Sequence, residues 1–124
     1  MVEAKPWLEE IHYFRIPVTD LDDSVRWYVD VLRLVLRRKT NERAVFEIGG
    51  GPLLVLVKAD PQSRGHFYVD GSPEFSVGFT CPDIHRFREH LVRHDVSVEL
   101  MQEEGDHFYF HFYDPSGNKL QAHW

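Results

Sequence analysis

The chain repeats one order of secondary-structure elements, and this repeat constrains its fold more than any other feature. The alternating stretch IHYFRIPV predicts a half-buried strand, and TDLDDSVRWYVDVLRL after it predicts a helix with an apolar stripe and Asp20 as its N-cap. The same order then returns as the strand EFSVGFT and the helix CPDIHRFREHLVRHD. TDLDDSV aligns with PDIHRFR at an offset of 63 positions. The sequence therefore predicts two βαβββ modules in tandem.

Three further β segments complete each module. They are LVLRRKT, RAVFEI and PLLVLVK in the first module and VSVELM, HFYFHFY and NKLQAHW in the second. The polar segment DPQSRGHFYVDGSP between them predicts a loop. We expect one domain over residues 1–124, with module 1 at about 9–58, a linker loop at 59–73 and module 2 at about 74–124. The predicted fold class is α+β, a cupped mixed sheet with the helices on its outer face.

Composition and charge exclude several classes of function. A hydrophobic content of 43% argues against disorder, and a net charge of −6 argues against nucleic acid or an anionic membrane as a partner. No apolar run approaches 18 residues, and the N-terminal MVEAKPWLEE lacks the pattern of a secretory signal. Cys81 is the single cysteine, as expected in a reducing compartment. We therefore expect a cytoplasmic protein.

The last two strands predict which side chains face the cup. The five-residue loop Asp114–Asn118 predicts that Tyr113 pairs with Lys119, His111 with Gln121 and Tyr109 with His123. This register places every phenylalanine of HFYFHFY on the helix side, because side chains alternate along a strand. The predicted ligand-binding residues of the inner face are Tyr13, Arg15, Ser76, Gly78, His107, Tyr109, His111, Gln121 and His123.

Some of these residues also have a structural interpretation. Tyr13 and Tyr109 could fill the cup and hydrogen-bond each other, and His107 could be a solvated side chain. Because side chains alternate along the first strand, we expect His12 on the helix side, unless a bulge at Pro17 brings it into the cup.

Two βαβββ modules, the VTDLDDSVRWYVDVL segment and the closing DPSGNKLQ strand together resemble the vicinal oxygen chelate superfamily, which includes glyoxalases, bleomycin-binding resistance proteins and dioxygenases. The resemblance runs from about Glu10 to Trp124, and the ending EGDHFYFHFYDPSGNKLQAH looks most like the fosfomycin-resistance branch. It implies a cup that binds a small molecule, and a homodimer with the cup at or near the interface.

In metal-using members of that superfamily, the ligand positions correspond here to Tyr13, Ser76 and Gln121, with Val55 as an approximate fourth. These residues depart from the His and Glu ligands that the resemblance implies, and they suit a divalent cation poorly. We therefore expect no metal and no other cofactor. The alternative is a displaced divalent transition metal held by His111, Gln121 and His123.

Three functions are compatible with these observations. The leading prediction is a glyoxalase/bleomycin-resistance-like protein that binds a small organic molecule without the usual metal. The alternative is a lyase, isomerase or thiol transferase in which His111, His123 and Tyr109 are the candidate catalytic residues. The third is a scaffold whose cup is filled by its own side chains.

Overall fold

The computed structural model describes residues 4–124 of the chain. Residues 1–3, the start of the N-terminal segment MVEAKPWLEE that lacks the pattern of a secretory signal, lie outside the described residues. Ten strands and two helices follow in the order β1 (Tyr13–Val18), α1 (Leu21–Asp30), β2 (Val35–Lys39), β3 (Arg43–Glu47), β4 (Leu53–Lys58), β5 (His66–Val69), β6 (Ser72–Phe75), β7 (Val77–Thr80), α2 (Ile84–Arg93), β8 (Gln102–Glu104), β9 (His107–Tyr113) and β10 (Lys119–His123).

The predicted duplication is confirmed. One four-stranded sheet has the order β1-β4-β3-β2 and the other has the equivalent order β7-β10-β9-β8, each with one parallel and two antiparallel pairings. Both helices are ten residues long and start 63 positions apart, as the repeat predicts. The Asp20 side chain caps α1 by accepting a hydrogen bond from the Asp23 N–H at 3.0 Å.

One hydrophobic core contains residues of both modules. Phe46 and Leu56 from the first sheet and Phe110 and Leu120 from the second are fully buried in it. The apolar faces of both sheets therefore contribute to the same interior, and their polar faces are left to line cavities. Both helices are short, and within residues 4–124 neither has the length and apolar character that a membrane crossing needs.

A buried polar cluster links the two modules. The Tyr28 hydroxyl on α1 donates a 2.7 Å hydrogen bond to the Asp114 carboxylate in the turn before β10. Asn118 donates to that carboxylate at 2.8 Å and also to the Pro17 carbonyl of β1 at 2.8 Å. This cluster explains the DPSGN sequence, because its Asp and Asn provide the buried acceptors and donors that join the last turn to module 1.

The segment predicted as an irregular loop contains the antiparallel hairpin β5–β6. Its turn residues Asp70 and Gly71 both have positive φ, 49° and 80°. Two such residues give the turn whose twist matches a two-stranded hairpin, and Asp-Gly is a strong sequence signal for it. The loop interpretation was therefore wrong for this part of the segment.

The strand predicted at VSVELM is also corrected. That segment runs beside β9 but makes a single bridge, between Val98 and Phe112. The hydrogen bonds on either side of it join Tyr113 N to the Ser97 carbonyl and Glu99 N to the His111 carbonyl. Regular pairing with β9 begins only at β8, because only there do consecutive residues match in register.

Candidate ligand-binding site

Each module lines its own cavity with the polar face of its sheet. The module-1 half-cup has a volume of about 560 Å³ and is lined by residues of and around β1 to β4. The module-2 half-cup has a volume of about 670 Å³ and is lined by residues of and around β6, β9 and β10. The two cavities share no lining residue. Within the described chain, the polar faces thus form two open halves and not one closed cup.

The residues predicted to line one cup are divided between these halves. Tyr13 and Arg15 line the module-1 half-cup. The module-2 half-cup contains the members of the predicted set that lie on β9 and β10, namely His107, Tyr109, His111, Gln121 and His123. Ser76 is exposed between β6 and β7 and lines neither half-cup, and Gly78 lies beside Gln121.

The expectation for His12 was wrong. His12 precedes β1, so the alternation of that strand does not determine its direction. It is exposed, lines the module-1 half-cup and packs edge-on against Tyr13 at 5.6 Å between ring centroids. No bulge at Pro17 is involved, since β1 pairs with β4 in continuous register from Tyr13 to Val18.

The predicted register of β9 and β10 is confirmed. Tyr113 lies opposite Lys119, His111 opposite Gln121 and Tyr109 opposite His123. Phe110 and Phe112 are accordingly buried on the helix side, while His111 and Gln121 face the half-cup.

His111 is the most constrained polar residue of the module-2 half-cup. Its Nδ1 lies 3.3 Å from Glu99 Oε1, and its Nε2 lies 3.4 Å from Gln121 Nε2. The ring of Phe75 packs on the imidazole at 5.2 Å, and that of Tyr109 at 6.0 Å. Partial burial lowers the pKa of His111, assisted by the nearby Lys119 and opposed by Glu99, so the ring is neutral at pH 7.

Glu99 is held as an anion by three donors. Tyr113 donates a 2.7 Å hydrogen bond to it, Lys119 Nζ lies 3.6 Å from its carboxylate, and His111 is the third. Burial alone would raise the pKa of Glu99, but the Tyr113 hydrogen bond and the Lys119 charge, with a smaller contribution from His111 when it is protonated, outweigh burial, and the pKa is lowered. Burial and the Glu99 carboxylate in turn raise the pKa of Tyr113 to about 12.

The β5–β6 hairpin builds one wall of this half-cup. Lys119 Nζ donates to the Pro73 carbonyl at 3.1 Å, and the backbone N–H of Lys119 donates to His66 Nδ1 at 2.9 Å. Phe75 is placed against His111 by these contacts. Glu99 and Phe75 are not in the set predicted from sequence. The alternation of VSVELM could have pointed to Glu99, but only the hairpin brings Phe75 to the site.

The remaining histidines of this half-cup lie at its exposed end. His107 and His123 stack with ring centroids 5.3 Å apart and an interplanar angle of 25°. Three acidic side chains, Glu74, Glu104 and Asp106, also line the cavity, and within residues 4–124 no lysine or arginine lines it.

The module-1 half-cup has the opposite charge. Among the described residues, Arg15, Arg38 and Arg43 line it together with one carboxylate, Glu42. Within residues 4–124, none of the three arginines forms an ion pair.

The residues at the family's metal positions do not fit a divalent cation. Tyr13 and Val55 lie in one half-cup and Gln121 in the other, while Ser76 lies outside both. Val55 has no donor atom, and Gln121 directs its amide nitrogen at His111. In the part of the chain that the structure describes, no three His, Cys, Asp or Glu side chains come together as a metal site.

Cys81 lies away from both half-cups, in a groove between the C-terminal end of α1 and the start of α2. Burial and the nearby Asp83 carboxylate raise the pKa of its thiol. It therefore stays protonated at neutral pH and is a weak nucleophile.

Comparison with known proteins identifies the family. A family model described as Glyoxalase/Bleomycin resistance protein/Dioxygenase superfamily matches residues 10–122. A search of curated proteins by sequence gives no match.

Among solved structures, the fold is similar to that of TnmS3, an antibiotic binding protein from Streptomyces sp. CB03234, with a TM-score of 0.75, 18% identity and coverage of 95% of this chain and 97% of that one. It is similar to lactoylglutathione lyase from Agrobacterium tumefaciens, with a TM-score of 0.69, 17% identity and coverage of 97% and 95%. It is also similar to a glyoxalase/bleomycin resistance protein/dioxygenase from Alicyclobacillus acidocaldarius, with a TM-score of 0.70, 24% identity and coverage of 92% and 89%. The family match over nearly the whole chain shows that this protein belongs to the glyoxalase/bleomycin resistance protein/dioxygenase superfamily.

Proposed function

We propose that the protein binds a small organic molecule with an aromatic ring in the module-2 half-cup, without a metal. The observation that carries this proposal is the group of rings around His111. Phe75 and Tyr109 lie 5.2 and 6.0 Å from the imidazole, and polar groups of Gln121 and His123 line the same cavity. Ring walls with a few polar groups are typical of sites for organic ligands.

The acidic side chains of the module-2 half-cup indicate which charge its ligand carries. Glu74, Glu104 and Asp106 provide three carboxylates to the lining of this cavity. The site therefore favours a neutral or cationic compound over an anion. The fold shared with an antibiotic binding protein supports the same class of function.

Binding by matched variants tests this proposal. We expect cationic and neutral aromatic compounds from a broad library to raise the melting temperature of the wild-type protein and to bind much more weakly to Phe75→Ala. Phe67→Ala is the matched control, since Phe67 lies on the same hairpin but is 52% exposed and lines neither half-cup. Equal binding by both variants, or a preference for anions, would contradict the proposed site.

We propose further that a second copy of the chain closes the cup as a homodimer. Residues 1–124 then act as one domain whose two half-cups face those of the partner. Three arginines line one half-cup and three carboxylates the other, so the polar face of module 1 on one chain is complementary to that of module 2 on another. Among the described residues β1 pairs only with β4 and β7 only with β10, so β1 and β7 are edge strands with one side open for pairing.

Light scattering coupled to size exclusion tests this arrangement. The charge reversals Arg15→Glu with Arg43→Glu, or Glu104→Lys with Asp106→Lys, are each expected to give monomers. Mixing the two variant proteins is expected to restore dimers, because each acidic half-cup of one variant then faces a basic half-cup of the other. A dimer that is unaffected by either reversal, or a wild-type monomer at high concentration, would refute the closure by a second copy.

The Glu99–His111 contact favours a second candidate function, an enzyme of the lyase, isomerase or thiol-transferase type. A neutral histidine held by a carboxylate can accept a proton near neutral pH. The fosfomycin-branch character of the last strand and the fold shared with a lactoylglutathione lyase favour the same class. In a metal-dependent form of this candidate, a displaced divalent metal would be held by His111, Gln121 and His123, and His123 stacks on His107 in the structure.

Turnover assays separate the two candidates. The protein is tested with a glutathione hemithioacetal and with an epoxide antibiotic plus thiol, each with and without added Ni²⁺, Mn²⁺ or Zn²⁺. Turnover that is lost in His111→Ala and kept in His107→Ala would favour the enzyme. Binding without turnover would favour the binding protein. The single free Cys81 fits a reducing compartment, and we propose the cytoplasm as the location.

A further inference from the structure

His111 has two ring nitrogens in different surroundings. Nδ1 faces the Glu99 carboxylate at 3.3 Å, and Nε2 faces the cavity beside the Gln121 amide nitrogen at 3.4 Å. A carboxylate can only accept a hydrogen bond, so the single proton of a neutral imidazole belongs on Nδ1. Nε2 is then an acceptor, and a Gln121 N–H pointing at it agrees with that assignment.

Glu99 is well suited to fix this tautomer. Tyr113 and Lys119 hold its Oε2 by a 2.7 Å hydrogen bond and a 3.6 Å ion pair, which leaves Oε1 directed at His111. Glu99 does not line the half-cup, so it acts on a ligand only through His111.

Gln121 can make room for a ligand at Nε2. The absence of a side chain at Gly78 leaves space beside the Gln121 amide. Gln121 Oε1 lies 3.2 Å from the position that a Cβ on Gly78 would take. The contact between Gln121 Nε2 and His111 Nε2 is at the long end for a hydrogen bond, so a stronger donor can replace it. Phe75 beside the imidazole provides a surface on which an aromatic ring can pack with its substituent toward Nε2.

We propose that His111 Nε2 is the hydrogen-bond acceptor for the ligand, that Glu99 is the positioning residue that fixes its tautomer, and that the ligand class is aromatic compounds bearing an O–H or N–H donor. This inference rests on the proposed function and deepens it by naming the group on the ligand that is recognised. It explains why a histidine and a glutamine occupy the inner face of β9 and β10.

The charged groups around His111 support a neutral ring. Lys119 on β10 lowers its pKa, as does burial, while Glu99 before β8 and Glu74 on β6 raise it. The other polar neighbours are Tyr109 and Tyr113 on its own strand and Gln121 on β10. The balance lowers the pKa of His111, so Nε2 remains free to accept at neutral pH.

The tautomer is measurable without any ligand. Two-bond ¹H–¹⁵N correlation spectra of the ¹⁵N-labelled protein at pH 7.5 are expected to show His111 protonated at Nδ1 and bare at Nε2. Glu99→Gln removes the negative charge that raises the pKa of His111, so that pKa is expected to fall and the Nδ1–H preference to weaken. Glu103→Gln makes the same charge change on β8 and is the control expected to leave the His111 signals unchanged. A proton on Nε2 in the wild-type protein would overturn the inference.

Phenol and anisole are the matched probes for the ligand class, since they differ in the O–H donor. Phenol is expected to shift the Nε2 resonance of His111 and to bind about fivefold more weakly to His111→Phe, the loss expected for one hydrogen bond. Anisole is expected to leave Nε2 unshifted and to bind both proteins equally. A missing Nε2 shift with phenol, or the same response to both probes, would overturn the inference. A Phe75→Ala variant that binds aromatic compounds normally would contradict the proposed site and leave the tautomer result unaffected.

Discussion

Removal of the Tyr28 hydroxyl gives the sharpest test of how the two modules are joined. Tyr28 is fully buried and Asp114 is 5% exposed, and the hydrogen bond between them is 2.7 Å long. In Tyr28→Phe the ring and its packing remain, but one acceptor site of a buried carboxylate loses its donor. Burial and the Asp114 carboxylate raise the pKa of Tyr28 well above its usual value, so the hydroxyl is the donor at every accessible pH.

The magnitude follows from the kind of bond that is lost. A hydrogen bond to a charged group contributes about 1.5–3 kcal/mol, and water cannot replace the donor in a fully buried site. Asn118 still donates to the same oxygen, so a loss of about 2 kcal/mol in the free energy of unfolding is expected. For a chain of this size that corresponds to a fall of roughly 6–8 °C in Tm. Urea denaturation followed by far-UV circular dichroism measures the free energy directly.

Tyr113→Phe is a matched control. Tyr113 also donates a 2.7 Å hydrogen bond to a carboxylate, but its partner Glu99 has a side chain that is 43% exposed. Water and Lys119 can compensate there, so the expected loss is about 0.5 kcal/mol. Equal losses in the two variants would refute the argument that burial of the Tyr28 contact determines its contribution.

Three further outcomes follow from the structure. Gly117→Ala is expected to cost about 1 kcal/mol because Gly117 has φ +84°, whereas Gly50→Ala, where a Cβ meets nothing within 4 Å and φ is not positive, should be neutral in the same denaturation assay. Phe110→Ala, at a site with no exposed surface, is expected to cost about 3–5 kcal/mol by calorimetry or urea titration, and a loss below 1 kcal/mol would contradict its place in the core. Burial lowers the pKa of His66, and the charges of Arg64 and Lys119 lower it further. The stability that His66 contributes is therefore present above its unfolded pKa of about 6.5. It is lost as pH falls through the lower pKa of the folded state. The slope of stability against pH in that window should therefore flatten in His66→Asn, which retains an acceptor, and an unchanged slope would contradict the role of this residue.

The elements that the sequence predicts well are those in which apolar side chains recur at a short, regular spacing. The two helices and their 63-residue offset follow from apolar residues at helical spacing, and the β9–β10 register follows from strict alternation between phenylalanine and polar residues. A slip of one residue would bury polar side chains, so only one register is compatible with a buried face.

Other predictions were wrong because the local sequence pattern favoured a different structure from the one that forms. The hairpin β5–β6 carries the Asp70–Gly71 signal, but its polar, turn-rich surroundings favoured a loop. His12 lies one residue before its strand, where alternation no longer constrains the side chain. VSVELM alternates like a strand, yet it joins β9 through one bridge.

The sequence by itself determined the duplicated βαβββ fold, the polar character of the inner sheet faces and the departure from His and Glu at the family's metal positions. Each of these depends on residue type and spacing within one segment. Only the tertiary structure decided that the inner faces form two separate half-cups of opposite charge, and that Glu99 and Phe75 surround His111. Those contacts join residues from different strands and loops, and no period within a single segment encodes them.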